Sequence, residues 1–255
     1  MTSPNTACCR RPPVISGPYT QLGSYTTLGG MNTYTTGLPT ATHGLLVIYD
    51  IFGYYPQTLQ AADILSGSAP GSTSTSTQHY KLFMPDWFGD SPADLAMYPP
   101  VTPEQHAYIT AFMTGPAAPA RTLPKIPAYF AALREANPQI TSWGVVGYCW
   151  GAKIASLLAN PEAGFAAAAM LHPSLMVVED AGEVKVPLVV LPSGDEDVEL
   201  VDAFKAGLKV DNYVETFKDQ VHGWMASRAD FEDPRAKAEY LRGYGILRDF
   251  FGKYL

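Results

Sequence analysis

Short apolar runs that alternate with less hydrophobic stretches are the feature that most restricts the fold of this 255-residue chain. The first clear run, residues 45–49, is closed by Asp50 and Gly53. Similar runs occupy 80–84, 144–147, 166–171 and 188–191, and a weaker one lies at 213–217. Continuous apolar runs that end at Gly, Pro or Asp are typical of strands that are buried on both faces of a sheet.

The stretches between these runs have the lower hydrophobic density of surface helices. They cover 58–65, 103–113, 127–136, 152–159 and 200–206, and a final helix is predicted from Pro234 to about Phe251, with Pro at its first turn. Strands that alternate with helices imply βαβ crossovers and a mainly parallel sheet with helices on both faces. We therefore predict one α/β domain over residues 1–255, with 1–32 as an irregular N-terminal arm and 89–124 as a candidate cap.

Composition excludes several classes of protein. The 17 basic and 24 acidic residues give a net charge of −7 without any Lys/Arg run, which disfavours nucleic acid as a partner. No apolar stretch approaches the ~18–20 residues that cross a membrane. The first residues lack the apolar core of a secretory signal, there is no N-x-S/T site, and the three cysteines cannot all pair within one chain. These features predict a cytoplasmic protein.

Gly147-Tyr-Cys149-Trp-Gly151 directly follows a predicted strand and directly precedes a predicted helix. This is the context of a nucleophile elbow, with Cys in the position that Ser usually holds. Small residues are needed at both glycines because bulkier ones would collide with the neighbouring strand or helix. The amino end of the following helix favours a thiolate. The alternative is a small buried cysteine at a tight turn.

A thiol nucleophile needs a base, and the base needs an acid that orients it. In α/β-hydrolase folds the three follow in the order nucleophile, acid, base. His222, after the last predicted strand, is the candidate base. Asp195, Glu196 and Asp197, after the run at 188–191, are the candidate acids; we favour Asp197, with Asp195 second. The alternatives are a structural hydrogen-bonding histidine and a solvated acidic turn.

Residues 40–255 resemble the dienelactone hydrolase family, and particularly its fungal branch. Besides the elbow and the acidic segment, the resemblance is carried by Asp50-Ile-Phe-Gly53, Met84-Pro-Asp86-Trp-Phe88 and Val221-His-Gly-Trp224. This family comprises cysteine members of the α/β-hydrolase superfamily. The resemblance implies that a Cys149, His222, Asp197 triad hydrolyses an ester or lactone through an acyl-cysteine. It also implies an oxyanion hole made by the backbone N–H groups of Trp150 and Ile51.

The chain departs from the bacterial founders of that family at two positions. Where this chain has Asp50, those members carry a Glu that contacts the thiol. The shorter Asp50 is therefore a candidate for activating the thiol. The alternative is a polar residue that closes a strand. The founders also place an Arg for the substrate carboxylate where this chain reads Phe88-Gly89-Asp90. Arg228 is a candidate replacement for that cation; the alternative is a surface arginine.

Several large side chains are candidates for the substrate pocket. The family geometry would place Trp87, Phe88, Trp224 and Met225 around the elbow, and such a pocket suits flat or hydrophobic acyl groups. His172 follows the run at 166–171 and lies on the same edge of the predicted sheet. Each of these residues has a simpler alternative as part of the core.

Neither a metal nor a cofactor is predicted, because the sequence has no metal-ligand spacing such as H-E-x-x-H and no Walker or dinucleotide fingerprint. The expected partner is a small ester or lactone, and the expected state is a monomer or homodimer. Two alternatives stay open: a redox or ligand sensor that uses Cys149, and a thioesterase or acyltransferase on the same fold. The adjacent Cys8 and Cys9 receive no role from the sequence.

Overall fold

The computed structural model describes residues 7–8, 10–15, 17–69, 74–89 and 91–255. Within these ranges eight strands form one sheet in the order β1-β2-β4-β3-β5-β6-β7-β8. The strands are β1 (Ser24–Leu28), β2 (Met31–Thr36), β3 (His43–Ile48), β4 (Lys81–Pro85), β5 (Ser142–Tyr148), β6 (Ala167–Leu171), β7 (Leu188–Leu191) and β8 (Asn212–Val214).

The six strands from β3 to β8 run parallel to one another, and only β2 pairs antiparallel with its neighbours β1 and β4. Every residue of β6 and β7 is buried, as expected when helices cover both faces of a parallel sheet. The predicted mainly parallel sheet is therefore confirmed.

Seven α-helices are found in the described part of the chain; six coincide with the predicted stretches, and the short helix α3 was not predicted. They are α1 (Pro56–Ser66), α2 (Pro103–Thr114), α3 (Pro119–Thr122), α4 (Ile126–Ala136), α5 (Trp150–Leu158), α6 (Val198–Gly207) and α7 (Pro234–Tyr254). Proline lies in the first turn of five of them, where its missing N–H is not needed. No helix in these ranges combines the length and the apolar character that a membrane crossing demands.

The prediction of an irregular arm over residues 1–32 is wrong from Ser24 onwards. Strands β1 and β2 form a hairpin in which Leu28 faces Met31. The two connecting residues, Gly29 and Gly30, have positive φ angles of 53° and 78°, which suit a two-residue hairpin turn. Four of the five residues of β1 are exposed, so this strand carries no apolar run that would have revealed it.

The candidate cap, residues 89–124, contains α2, α3 and two short 3₁₀ turns. One contact places it against the start of α5, and a second places it against Phe88. The Ala117 carbonyl accepts a hydrogen bond of 2.6 Å from the Trp150 indole, and the Phe112 ring lies 5.2 Å from that of Phe88. Its function as a cap stays a prediction.

Strands β3, β5, β6 and β7 are neighbours in the sheet and all run in the same direction. The residues that directly follow them therefore meet at one edge. This edge collects Asp50, Cys149, His172 and the acidic segment 195–197.

Candidate active site

Cys149 connects β5 to α5 with φ 52° and ψ −110°, a backbone conformation that non-glycine residues rarely adopt. Hydrogen bonds hold it there: its amide donates to the Leu171 carbonyl at 3.0 Å, and its carbonyl accepts from the amide of Ser174 at 3.1 Å. The neighbouring strand β6 and the loop after it thus fix the sharp turn that directs the thiol over the sheet edge.

The two glycines of the motif are required by close backbone contacts. A Cβ atom on Gly147 would lie 2.1 Å from the Gly151 carbonyl oxygen, and one on Gly151 would lie 2.1 Å from the Ile48 carbonyl oxygen. Because these neighbours are backbone atoms, no side-chain rotation relieves the clash. The steric role predicted for both glycines is confirmed.

His222 is buried, and its Nδ1 atom lies 2.5 Å from Oε1 of Glu196, which is also buried. The second oxygen of Glu196 accepts a hydrogen bond from the backbone amide of Ser193. Asp195 contributes as well, because its Oδ2 atom accepts from the backbone amide of His222 at 2.9 Å. Two adjacent carboxylates therefore fix both the ring and the backbone of the histidine.

The prediction that Asp197 orients the imidazole is at odds with this geometry. Oδ1 of Asp197 accepts hydrogen bonds from the amides of Glu199 and Leu200, which makes it the N-cap of α6. A side chain that satisfies the free amides of its own helix points away from His222. The carboxylate that contacts the ring belongs to the residue before it.

Burial lowers the pKa of His222, but the negative charge of Glu196 and the contact with Cys8 raise it more, to about 9. An imidazole with such a pKa carries a proton at neutral pH. A cation at this position stabilises a thiolate beside it.

Cys8, on the N-terminal segment, lies directly at the nucleophile. Its Sγ atom is 3.4 Å from Sγ of Cys149, and both residues are buried. The two sulfurs and a ring nitrogen of His222 all lie within 4.8 Å of one another, the only group in the described part of the chain with the spacing of metal ligands. Sequence reasoning missed this cluster because Cys8 is 141 residues away from Cys149.

Asp50 makes no hydrogen bond with Cys149 among the described residues. Its Oδ2 atom accepts from the Ser227 hydroxyl at 2.6 Å, and its Oδ1 atom accepts from the Phe52 amide at 2.9 Å. Burial raises the pKa of Asp50, and the bonds from Ser227 and Phe52 and the charge of Arg228 offset part of that rise. The Asp50 carboxylate thus ties the loop after β3 to Ser227, and its role as a thiol-activating group stays a prediction.

Arg228 is buried and not on the surface. Its guanidinium donates to the carbonyl oxygens of Cys8 at 2.7 Å, Arg11 at 2.8 Å and His222 at 3.3 Å. The predicted substrate cation is thus engaged with backbone, and it joins the N-terminal segment to the loop that carries His222.

His172 has φ 35° and is fully buried. Its ring lies 5.1 Å from that of His222 and 5.9 Å from that of Tyr148, and neither of its nitrogens has a hydrogen-bond partner among the described residues. Burial, followed by the positive charges of His222 and Arg228, lowers its pKa well below the usual value. His172 is therefore a neutral ring packed against His222.

Phe88 and Trp87 pack against different neighbours. The Phe88 ring lies 4.7 Å from that of Trp150, next to the nucleophile in sequence. The Trp87 indole donates to the Val47 carbonyl at 3.3 Å and packs against Tyr129, so it belongs to the core.

Trp224 and Met225 pack against α7. A Cβ atom on Gly243 of that helix would lie 2.8 Å from each of their side chains. Trp224 also stacks on Phe217, at 4.2 Å between ring centroids. Their observed contacts are those of core residues, and their predicted contact with substrate stays a prediction.

The oxyanion hole predicted from the amides of Trp150 and Ile51 stays a prediction. Trp150 is the first residue of α5, where amides lack an intrahelical acceptor, and Ile51 follows β3 and the strand-closing Asp50. Neither amide donates a hydrogen bond to another backbone group within the described ranges.

Comparisons with known proteins agree with this geometry. Residues 31–255 match the sequence profile of the dienelactone hydrolase family. An uncharacterized AIM2 family protein of Schizosaccharomyces pombe is 30% identical over 258 residues, which cover 96% of this chain and 98% of the relative. A carboxymethylenebutenolidase homolog from Homo sapiens is 26% identical over 251 residues, 93% of each chain.

Solved structures share the fold at low identity. A dienelactone hydrolase from Anabaena variabilis superposes with a TM-score of 0.62 at 14% identity, covering 92% of this chain and 98% of that one. A predicted CIB-like hydrolase from Thermoplasma acidophilum gives a TM-score of 0.58 at 10% identity, covering 92% and 100%. The predicted α/β-hydrolase fold is confirmed.

Proposed function

Because the chain belongs to the dienelactone hydrolase family, we propose that it hydrolyses a carboxylic ester or lactone through an acyl-cysteine on Cys149. Family and fold support a hydrolase. The observation that carries the finer proposal is the set of contacts at the elbow: a buried thiol at a strained turn, with His222 beside it and Glu196 hydrogen-bonded to that histidine.

The reaction begins when the thiolate of Cys149 attacks the carbonyl carbon of the substrate. The charge that develops on the carbonyl oxygen is stabilised by the amides of Trp150 and Ile51, which need no reorganisation because the start of α5 and the end of β3 hold them. The raised pKa of His222 means that the imidazole carries a proton at neutral pH, so its charge can stabilise the attacking sulfur.

His222 then acts as general acid. It gives its proton to the leaving alkoxide as the bond from carbonyl carbon to alkoxide oxygen breaks, and the acyl group stays on Cys149 as a thioester. The neutral imidazole next takes a proton from water, and the hydroxide formed attacks the thioester. The bond from carbonyl carbon to sulfur then breaks, the carboxylic acid leaves, and the thiolate of Cys149 and the protonated His222 are restored. Glu196 keeps Nδ1 protonated through both steps, which leaves the other ring nitrogen, Nε2, to transfer protons.

The aromatic surface beside the elbow supports a preference for hydrophobic acyl groups. Phe88 is only partly buried and stacks on Trp150, with Phe112 of the candidate cap behind it. Such a surface binds a flat or apolar acyl chain better than a charged one.

The proposal is tested with p-nitrophenyl acetate, followed by burst kinetics and intact-mass detection. We expect turnover by the reduced wild type and an acetyl adduct on Cys149. Cys149→Ala should abolish both, and His222→Ala should lower kcat/KM by about 10²-fold or more. Cys9→Ser controls for the loss of a thiol elsewhere in the chain. An inert wild type, or a His222→Ala variant as active as wild type, contradicts the proposal.

A further inference from the structure

The sulfur of Cys8 is in contact with the sulfur of the elbow cysteine. The two Sγ atoms are 3.4 Å apart, and only 5% of Cys8 and 2% of Cys149 is exposed. Two hydroxyl groups also lie beside the pair: the Cys149 thiol donates to Ser174 at 3.6 Å, and the Tyr98 hydroxyl lies 3.9 Å from the Cys8 sulfur. Two free thiols are therefore enclosed together next to an imidazole.

The segment that carries Cys8 is fastened to the domain on several sides. Arg228 binds the carbonyls of Cys8 and Arg11, and the Val14 amide donates to the Ser227 carbonyl at 2.9 Å. The Val14 carbonyl in turn accepts from Gln57 at 3.0 Å. These bonds hold the Cys8 sulfur at the elbow in the resting protein.

We propose that Cys8 and Cys149 are a redox pair that closes the active site reversibly, Cys8 resolving oxidised Cys149 by forming a disulfide with it. The inference rests on the proposed function, since the thiol that it regulates is the proposed nucleophile. The geometry assigns the partner: Cys8 is the cysteine whose sulfur touches that of Cys149.

Hydrogen peroxide supplies the oxidising equivalents in this scheme. The Cys149 thiolate attacks one peroxide oxygen, the O–O bond breaks, and the products are a sulfenic acid and hydroxide, which takes up a proton to give water. The Cys8 sulfur then attacks the Cys149 sulfur, the S–O bond breaks, and a second water leaves with the thiol proton. In total two thiols and one peroxide give one disulfide and two waters.

Peroxide, like substrate, has to reach Cys149, of which only 2% is exposed. The Cys8 sulfur lies next to both the Cys149 sulfur and the ring of His222, where the scissile carbonyl has to lie during attack. Turnover therefore requires the Cys8 segment to move away from the elbow. After oxidation the segment returns, and the disulfide keeps Cys149 from further oxidation to the sulfinic acid, which is not readily reversed.

The test maps the disulfide in the full chain. Reduced protein is treated with equimolar hydrogen peroxide, alkylated in denaturant and digested with trypsin without reduction. We expect a cross-linked peptide that joins residues 1–10 to residues 135–153, and an intact mass that has lost two hydrogens. Because residues 1–10 contain both Cys8 and Cys9, the variants Cys8→Ser and Cys9→Ser assign the sulfur.

Cys9→Ser is the matched control, since it removes the adjacent thiol. It should form the cross-link like wild type, lose its esterase activity with peroxide and regain it with dithiothreitol. Cys8→Ser should form no cross-link and should accumulate sulfinic acid on Cys149, with an activity loss that dithiothreitol does not reverse.

Three results would overturn the proposal: a cross-link retained in Cys8→Ser, no cross-link in wild type, or an inactivation that a chelator reverses and a reductant does not. An inactivation of that third kind would indicate that Cys8, Cys149 and His222 bind a metal ion. The cross-link is read by mass and not by activity, so an inert but cross-linked wild type refutes the proposed hydrolase and leaves the redox pair standing.

Discussion

Oε1 of Glu196 lies 2.5 Å from Nδ1 of His222, with both side chains out of contact with solvent. The neighbouring Asp197 caps α6, and Asp195 binds the backbone of the same histidine. Three consecutive acidic residues thus have three separate tasks. Only the middle one can control which ring nitrogen carries the proton.

Replacing Glu196 by Gln should lower kcat/KM for p-nitrophenyl acetate by about 10²–10⁴-fold, because an amide favours the wrong tautomer of His222. Asp197→Ala is the matched control at the neighbouring residue. It should keep kcat/KM close to wild type, but the loss of the helix cap should lower its stability by about 1 kcal/mol. Steady-state kinetics and urea unfolding measure both. The reverse ranking of the two variants would restore Asp197 as the orienting acid.

Stability should fall as the pH rises from about 6.5 to about 9, because the folded protein keeps a proton on His222 that the unfolded chain has lost. The pKa of His222 is raised to about 9 from an ordinary 6.5, so its contribution is complete below the ordinary value and disappears through the folded value. The loss is on the order of 3 kcal/mol. Urea unfolding across this range measures it, and His222→Asn should lack that part of the slope. Equal slopes in the two proteins would contradict the raised pKa.

His172 should produce the opposite dependence in acid. Its pKa is lowered in the folded protein, so the unfolded chain binds a proton below about pH 6.5 that the buried ring excludes. Stability should therefore decrease from about pH 6.5 towards pH 5, and His172→Asn, which tolerates the positive φ, should decrease less steeply. Chemical unfolding of both proteins over this range measures the difference. If the free energy of unfolding depends on pH equally in both, His172 does not have a lowered pKa.

The parallel part of the fold could be predicted because its signal is local. The run at 188–191 coincides with β7, and the run at 80–84 is displaced by one residue from β4, since strands buried on both faces have no polar positions to obscure them. Strand β1 is exposed and rich in threonine. No hydrophobic period marks such a strand, and only the Gly29-Gly30 turn indicated it.

The order of nucleophile, acid and base along the chain could be predicted from the sequence, but the contacts that each residue makes could not. Strand order brings Cys149, an acid and His222 to one edge, whereas the choice among three adjacent carboxylates depends on the path of a single turn. The position of Cys8 could not be predicted from the sequence for a different reason. Its neighbours are distant in the chain, and its position depends on bonds that Arg228 makes to backbone carbonyls.

Arg228→Lys should loosen the N-terminal segment. A lysine ammonium cannot replace a planar guanidinium that donates to three separate carbonyls, and the loss of buried hydrogen bonds should cost about 2–3 kcal/mol. Cys149 should also react faster with iodoacetamide. Arg235→Lys is the control: the Arg235 side chain is exposed on α7, its ion pair with Asp219 is solvated, and both readouts should stay unchanged. Wild-type values for both readouts in Arg228→Lys would show that other contacts hold the segment.

Gly147→Ala should be severely destabilising, by about 2–3 kcal/mol or more, because its Cβ would lie 2.1 Å from a backbone oxygen of α5 that cannot move without opening the elbow. Gly182→Ala provides the comparison, since nothing lies within 4 Å of a Cβ built there. Urea unfolding should separate the two variants, and kcat/KM should fall only for Gly147→Ala, as the strained turn relaxes and Cys149 moves away from the amides of Trp150 and Ile51. A stable, fully active Gly147→Ala protein would mean that the turn has room for a methyl group and that strain at Cys149 is not what holds the thiol in place.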